Sequence, residues 1–293
     1  MENKEKFKKV SIVLPTYNGA RYIKQAINNC LEQTHTNLEL IIVDDGSYDE
    51  TEDIVKSYSD PRIKYFKHKK NFGLAQALNT GFANSIGEYL TWTSDDNFYV
   101  SDAITVMLKA LEKKSKIDFV YTNFYTIDES GKTIKRVKVP SSRILNRDNC
   151  IGPCFLYRRI VYNRLGEFDP SFSLAEDYEY WLRVKSQFRI QKLDRFLCYY
   201  RLHKDGLTFR HEKAEVEEQT GKASSKYISS SSIKYYHKGR LFFYKKDYNR
   251  SKKELIKSLV HNPFNLDVWK LLVFVCLTTL SPSIAKRIKE IRD

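Results

Sequence analysis

The stretch that decides the fold is LELIIVDDGS, residues 38–47. An aliphatic run of strand length ends in two carboxylates and a glycine, the composition of a strand that stops at a turn. Ser47, with Glu50 three residues later, reads as a capping box that opens the next helix. Upstream, VSIVLP (10–15) is a run of the same kind and serves as the first strand. After TYNGA comes a helical stretch in which Ile23, Ala26, Ile27, Cys30 and Leu31 recur on one face. Downstream, IKYFK (63–67), EYLTWT (88–93) and DFVYTNFY (118–125) read as strands, with helices near 74–84 and 102–113 between them. DESGK then reads as a hairpin turn. Short strands alternating with helices define an α/β layer fold on a mainly parallel sheet flanked by helices.

In open sheets of this kind ligands lie beyond the carboxyl ends of the strands. PTYNG follows the first strand, DDGS the second and SDDN (94–97) the fourth, so residues distant in sequence converge on one crevice. Asp95 and Asp96 stand side by side there. Each charge disfavours the other unless a cation or strong donors compensate, and the bland alternative is a solvated turn or helix cap. Neither G-x-x-x-x-G-K-[ST] nor G-x-G-x-x-G follows any strand, which leaves phosphates to be handled by other means. A divalent ion bridging a diphosphate gives the two carboxylates a task that a turn does not.

The 293 residues and 42% hydrophobic content suit one large domain with a smaller annex. The five cysteines are odd in number and scattered, as expected of thiols in a reducing cytoplasm rather than a disulfide framework. Cys150 and Cys154 lack a second pair at zinc-ligand spacing. MENKEKFKKV, at the start, has no apolar signal-peptide core. A net charge of +14 favours anionic partners, but no zinc finger or basic zipper accompanies it, and no nucleic-acid partner is expected. VWKLLVFVCLTTL (268–280) falls short of the ~20 residues that a spanning helix needs; it packs internally or lies on a membrane.

The composition shifts past residue 209, and SSKYISSSS (224–232) marks a soft boundary, giving domains at 1–208 and 209–293. In the second, Tyr235, Gly239, Phe242, Ser251, Leu255, Ser258 and Pro263 fall at the spacing of one tetratricopeptide-like helical hairpin; a plain helical hairpin is the alternative.

Five motifs, VSIVLPTYNGARYI, LELIIVDDGS, NFGLAQALNTG, GEYLTWTSDDN and LAEDYEYWLR, resemble in order an inverting glycosyltransferase of family 2 with the GT-A fold, over roughly residues 8–205. The resemblance implies transfer of a sugar from a nucleotide diphosphate donor, a UDP-sugar foremost, with Mn²⁺ or Mg²⁺. The implied acceptor is a hydroxyl of a glycan or lipid-linked glycan in cell-surface polysaccharide synthesis. The scattered thiols lead us to expect a cytoplasmic location, and segment 268–280 together with the basic surface leads us to expect peripheral contact at the inner membrane face. The resemblance also implies that Pro15 and Tyr17 contact the base, that Asp45 binds uracil or ribose, and that SDDN stands for the D-x-D metal motif. Thr93 occupies the place where many relatives carry the first acid, so Asp95 and Asp96 divide the ribose and metal contacts between them. The resemblance likewise makes His203 the residue expected to complete the metal shell and Asp177 the expected catalytic base with Glu176 beside it, while Trp181 reads as either an acceptor platform or core.

The chemistry of these residue types agrees. A carboxylate is acceptor-only and suits a uracil N–H or ribose hydroxyls. Inversion needs a group on the acceptor side to take the hydroxyl proton while the nucleotide departs from the opposite face. The Q-x-x-R-W signature of processive synthases is absent, which favours single-sugar transfer. A catalytically silent nucleotide-sugar or glycan binding module is the alternative, and such a module has no use for an acceptor-side base.

Overall fold

A computed structural model describes residues 8–280, and the chain divides between Gly206 and Leu207 into two compact units. The first half of unit one alternates strand and helix: β1 (Val10–Thr16), α1 (Ile23–Leu31), β2 (Leu38–Asp44), α2 (Thr51–Lys56), β3 (Ile63–Lys67), α3 (Leu74–Ala83) and β4 (Tyr89–Trp92). There follow β5 (Phe98–Tyr99), α4 (Ala103–Lys113), β6 (Phe119–Ile127), β7 (Thr133–Val137), β8 (Phe155–Arg158), α5 (Arg159–Leu165), α6 (Glu176–Gln187) and β9 (Ile190–Arg201). The sheet order is β3-β2-β1-β4-β8-β6-β9-β5, with β7 paired to β6.

The pairings from β3 through β4 are parallel, as is the long β6–β9 pairing; β8 enters antiparallel to both β4 and β6. The sheet is therefore mixed, its parallel part carrying the strand ends that face the site. β1 and β2 are buried on both faces along their whole length, which explains their near-continuous aliphatic sequence. One face packs on Ile23, Ala26, Ile27 and Cys30 of α1 and on Ile104, Met107 and Leu111 of α4. Against the other lies an aromatic layer in which Phe119, Phe155 and Tyr157 stack and the Trp181 ring stands edge-on to Phe155 at 4.7 Å.

One local expectation fails. Ser47 does not cap α2, whose first residue is Thr51; the Ser47 hydroxyl instead accepts the Asn18 backbone N–H at 2.8 Å. The Thr51 N–H is met by Asp49 Oδ1 at 3.1 Å.

Unit two is helical: α7 (Leu207–Arg210), α8 (Lys213–Tyr227), α9 (Ser231–Tyr244), α10 (Tyr248–His261) and α11 (Leu266–Leu280). Tyr236, Leu255, Leu259, Val268, Leu272 and Val275 form its core. A Cβ on Gly239 would lie 2.6 Å from Leu255 Cδ2, so glycine is what lets α9 and α10 approach. No helix among the described residues is long and apolar enough to cross a membrane.

Candidate active site

The ends of β1 and β2 are laced together by short polar contacts. Asn18, in the left-handed region at φ 54°, accepts the Tyr48 N–H at 3.1 Å, Gly19 N–H donates to Thr51 Oγ1 at 2.9 Å, and Ala20 N–H donates to Asp49 at 3.1 Å. Pro15 is buried within β1 opposite Val43, whereas Tyr17 is exposed and stands edge-on to Tyr48. Of the two residues assigned to the base, only Tyr17 offers it a ring.

Asp45 is buried and already engaged. Its carboxylate accepts His68 Nδ1 at 2.6 Å, Phe72 N–H at 3.0 Å and Gly73 N–H at 2.7 Å. A carboxylate has about four lone-pair sites, so a nucleobase contact there would share oxygens that now hold the 68–73 loop. Asp44 is tied down in turn by Ser47 N–H at 2.7 Å and Tyr65 Oη at 2.8 Å.

The SDDN loop follows β4. Thr16 Oγ1 donates to Asp95 Oδ2, and a Cβ on Gly19 would overlap both of those oxygens, so the Asp95 carboxylate occupies the space that a glycine leaves. Burial, with the Asp96 charge second, pushes the Asp95 carboxyl above its ordinary range. Asp96 Oδ2 lies 2.8 Å from His203 Nε2, and the imidazole stands edge-on to Tyr22. Asp96 Oδ1 and His203 Nδ1 are both buried without a hydrogen-bond partner.

A divalent cation fits this corner on that observation: an unsatisfied carboxylate oxygen sits next to an imidazole, the O and N donors that suit Mn²⁺ or Mg²⁺. Among the described residues no three His, Cys, Asp or Glu side chains form a ready cage. Protein ligands of this number leave room for phosphate oxygens, as Mg²⁺ sites on nucleotide enzymes commonly do.

Arg201 was not singled out by sequence, and it ties the corner together. Its guanidinium donates to Asp96 O at 3.0 Å, to Asp128 O at 3.2 Å, to Glu129 O at 2.9 Å and to Gln25 Oε1 at 2.6 Å. It also lies 4.4 Å from the Tyr22 ring centroid. The only sequence signal was an arginine two residues before His203 at the end of a strand.

A second cluster forms at the N-terminus of α6, where a carboxylate is favoured by unsatisfied N–H groups. Asp177 accepts Asn149 Nδ2 at 2.9 Å and the Tyr178 N–H at 2.6 Å, and the Trp181 side chain donates to it as well. Burial outweighs these donors and leaves the Asp177 carboxyl above its ordinary range. Glu176 is buried, and burial together with the Asp177 charge pushes it up to about 7. Trp181 is 1% exposed and packed into the aromatic layer. Of its two readings, its burial against Phe119 and Phe155 favours core. Asn149 was not foreseen either.

A mixed sheet with its polar crevice at the ends of β1, β2 and β4 is the GT-A architecture. The chain is similar to Staphylococcus aureus TarS 1-349 in complex with UDP-GlcNAc (TM-score 0.66, 18% identity, 93% of this chain and 87% of that one). It is likewise similar to the mannosyltransferase PcManGT from Pyrobaculum calidifontis in complex with GDP-Man and Mn²⁺ (TM-score 0.63, 18% identity, 96% and 84%). The family model for glycosyl transferase family 2 matches residues 11–166, and the chain belongs to that family. An Escherichia coli relative, UDP-Glc:alpha-D-GlcNAc-diphosphoundecaprenol beta-1,3-glucosyltransferase WfgD, is 30% identical over 68% of this chain and 79% of its own length. An uncharacterized glycosyltransferase of Rickettsia felis is 35% identical over 60% of this chain, and the matched region spans only 31% of that protein.

Proposed function

We propose that the chain transfers a sugar from a nucleotide diphosphate donor, a UDP-sugar foremost, to a hydroxyl of a glycan or lipid-linked glycan acceptor with inversion at the anomeric carbon. The observation that carries this reading is the pairing of Asp96 and His203, with an unsatisfied carboxylate oxygen, at the strand ends beside Asp95. Named partners of similar proteins support the donor class: UDP-GlcNAc, GDP-Man and UDP-Glc. The lipid-diphosphate acceptor in the name of the Escherichia coli relative supports the acceptor class, and peripheral contact with the inner face of a membrane belongs to the same reading.

Asp96 and His203, with Asp95 beside them, would hold Mn²⁺ or Mg²⁺, which when bound neutralises diphosphate charge and so favours departure of the nucleotide. Tyr17 offers a ring to the base. Arg201 fixes the Asp96 backbone, and Gly19 and Thr16 fix the Asp95 carboxylate. Asp177 takes the acceptor hydroxyl proton as the acceptor oxygen bonds to the anomeric carbon and the bond from that carbon to the diphosphate oxygen breaks. An Asp177 carboxyl raised by burial is a better base than an exposed aspartate, and the donors on both its oxygens keep it oriented. In the second unit, we infer that α9 and α10 form one tetratricopeptide-like hairpin, supported by the close approach at Gly239 and the buried Ser251, Leu255 and Ser258.

The test is Asp177→Asn, assayed with UDP-sugars and Mn²⁺. Transfer is expected to fall by about 10²-fold or more with donor affinity little changed, since Asn keeps the shape and loses the proton-accepting oxygen. Near wild-type transfer would overturn the base assignment. Donor binding without turnover in the unmodified chain would favour the silent binding module instead.

A further inference from the structure

Fourteen large hydrophobic side chains are exposed among the described residues, and six of them, Ile256, Val260, Phe264, Leu266, Trp269 and Val273, lie within one short stretch of unit two. Their spacing is not random. On α11, Leu266, Trp269 and Val273 recur at three and four residues and form one exposed stripe, distinct from the stripe of Val268, Leu272 and Val275 that packs into the core. On α10, Ile256 and Val260 are one turn apart, on the exposed flank about 100° round from buried Leu255 and Leu259. The connection between the two helices presents Phe264 at 88% exposure. The Trp269 indole N–H donates to Pro263 O at 2.8 Å, so the ring is held in place with its polar edge satisfied and its apolar body outward. A helix whose apolar surface extends beyond the stripe it packs into its own core has a second surface to cover.

The charge of the unit indicates what covers it. Residues 207–293 carry 18 Lys and Arg against 9 Asp and Glu, whereas residues 1–206 carry 32 against 27. The smaller unit thus holds most of the net positive charge. Lys253 is exposed one turn before Ile256, and Lys270, beside Trp269, has a side chain 78% exposed. A second copy of the chain would bring the same excess of positive charge against itself, which opposes self-association. A surface of anionic head groups over hydrocarbon matches both features at once: the apolar side chains enter the interface while lysine stems let the ammonium groups reach the phosphates. The described part of α11 has 15 residues, about 22 Å at 1.5 Å per residue, shorter than a hydrocarbon core of about 30 Å. It is suited to lie in the interface rather than cross it.

We propose that the outward faces of α10 and α11, with Phe264 between them, form a docking surface for an anionic lipid bilayer. The proposal deepens the membrane contact in the function given above, and it rests on the lipid-linked acceptor only for its purpose. Binding is testable without turnover.

The full chain is sedimented with vesicles of phosphatidylcholine alone and of phosphatidylcholine with 30% phosphatidylglycerol, at fixed ionic strength and without donor. The expected result is recovery with the anionic vesicles and not the neutral ones. The combined variant Leu266→Ser, Trp269→Ser, Val273→Ser is expected to lower the partition coefficient at least tenfold, and Lys253→Glu with Lys270→Glu to lower it severalfold. Circular dichroism and Mn²⁺–UDP affinity of the serine variant, whose changes are all at exposed positions, are expected to match the wild type. Equal recovery in the supernatant with both vesicle types overturns the docking surface, as does undiminished binding by a folded serine variant. A concentration-dependent dimer abolished by the same substitutions would assign the face to a second copy and overturn the lipid. Any of these with Mn²⁺–UDP binding intact leaves the transfer reaction standing, while loss of transfer in Asp177→Asn with vesicle binding unchanged bears on the reaction alone.

Discussion

Gly19→Ala is the substitution that most directly interrogates the donor corner. The new methyl group would overlap Asp95 Oδ2 and Thr16 Oγ1 and lie 3.0 Å from Asp95 Cγ. Gly19 is not among the positive-φ residues, so alanine suits the backbone and the conflict falls on the carboxylate. Overpacking of this kind costs about 1–3 kcal/mol. If Asp95 gives way, that cost appears as weaker binding of donor and ion, and at 1.4 kcal/mol per factor of ten it corresponds to roughly 5- to 150-fold in Kd. Titration calorimetry of UDP with Mn²⁺, against a chelator control, measures it. Gly166→Ala is the comparison: Gly166 has φ 74°, nothing lies within 4 Å of its added Cβ, and it lies well outside the site. With ψ −152° as well, Gly166 lies in a region essentially reserved for glycine, and that variant is expected to lose about 1–3 kcal/mol of stability with unchanged donor affinity. A folded Gly19→Ala chain that binds Mn²⁺–UDP as tightly as wild type would refute the placement of Asp95 in the donor site.

Two further predictions concern the α6 terminus. Asn149→Ala removes a donor to the ionised Asp177, so the acidic limb of the pH–rate profile should move upward, with transfer reduced about threefold to tenfold near neutrality and recovering at higher pH; an unmoved limb would mean that Asn149 does not act through Asp177. Glu176 is held protonated up to about 7 in the folded chain against 4.5 for an unperturbed glutamate, so the native chain binds the extra proton between those values and stability falls as pH rises through that window. Glu176→Gln removes this slope, and its Tm relative to wild type should therefore increase from pH 5 to pH 7.5; a constant difference would show that Glu176 is not the buried acid responsible.

Much of the first half of the fold is written in contiguous patterns. β1, β2 and β3 are aliphatic or aromatic runs of strand length, and α1 shows its buried face as Ile23, Ala26, Ile27 and Cys30. β5 has two residues and β8 four, and their existence depends on partners far away: Phe98 pairs with Tyr199, and Leu156 with Val120. No local pattern announces such strands. The cap at Ser47 failed for a related reason, because its hydroxyl serves a backbone N–H 29 positions upstream. Of the residues proposed for the site, Asp95, Asp96, His203 and Asp177 could be named from sequence because the resemblance carries them. Arg201 was not, since three of its four hydrogen-bond acceptors are backbone carbonyls, which sequence does not advertise. Asn149 reaches Asp177 from an irregular segment 28 residues away.

The Arg201 knot, with His203 just after it, is also the last part of the Asp96 corner to be synthesised. Gln25, Asp96 and the turn at Asp128 and Glu129 all precede it, and β9, which delivers both Arg201 and His203, inserts between β6 and β5 after they exist. A ribosome releases the segment matched by the family model, residues 11–166, before any of β9. That nascent chain already contains both carboxylates of the SDDN loop, yet lacks the imidazole and guanidinium that organise them. The corner proposed for donor and ion is therefore complete only in chains extended beyond His203.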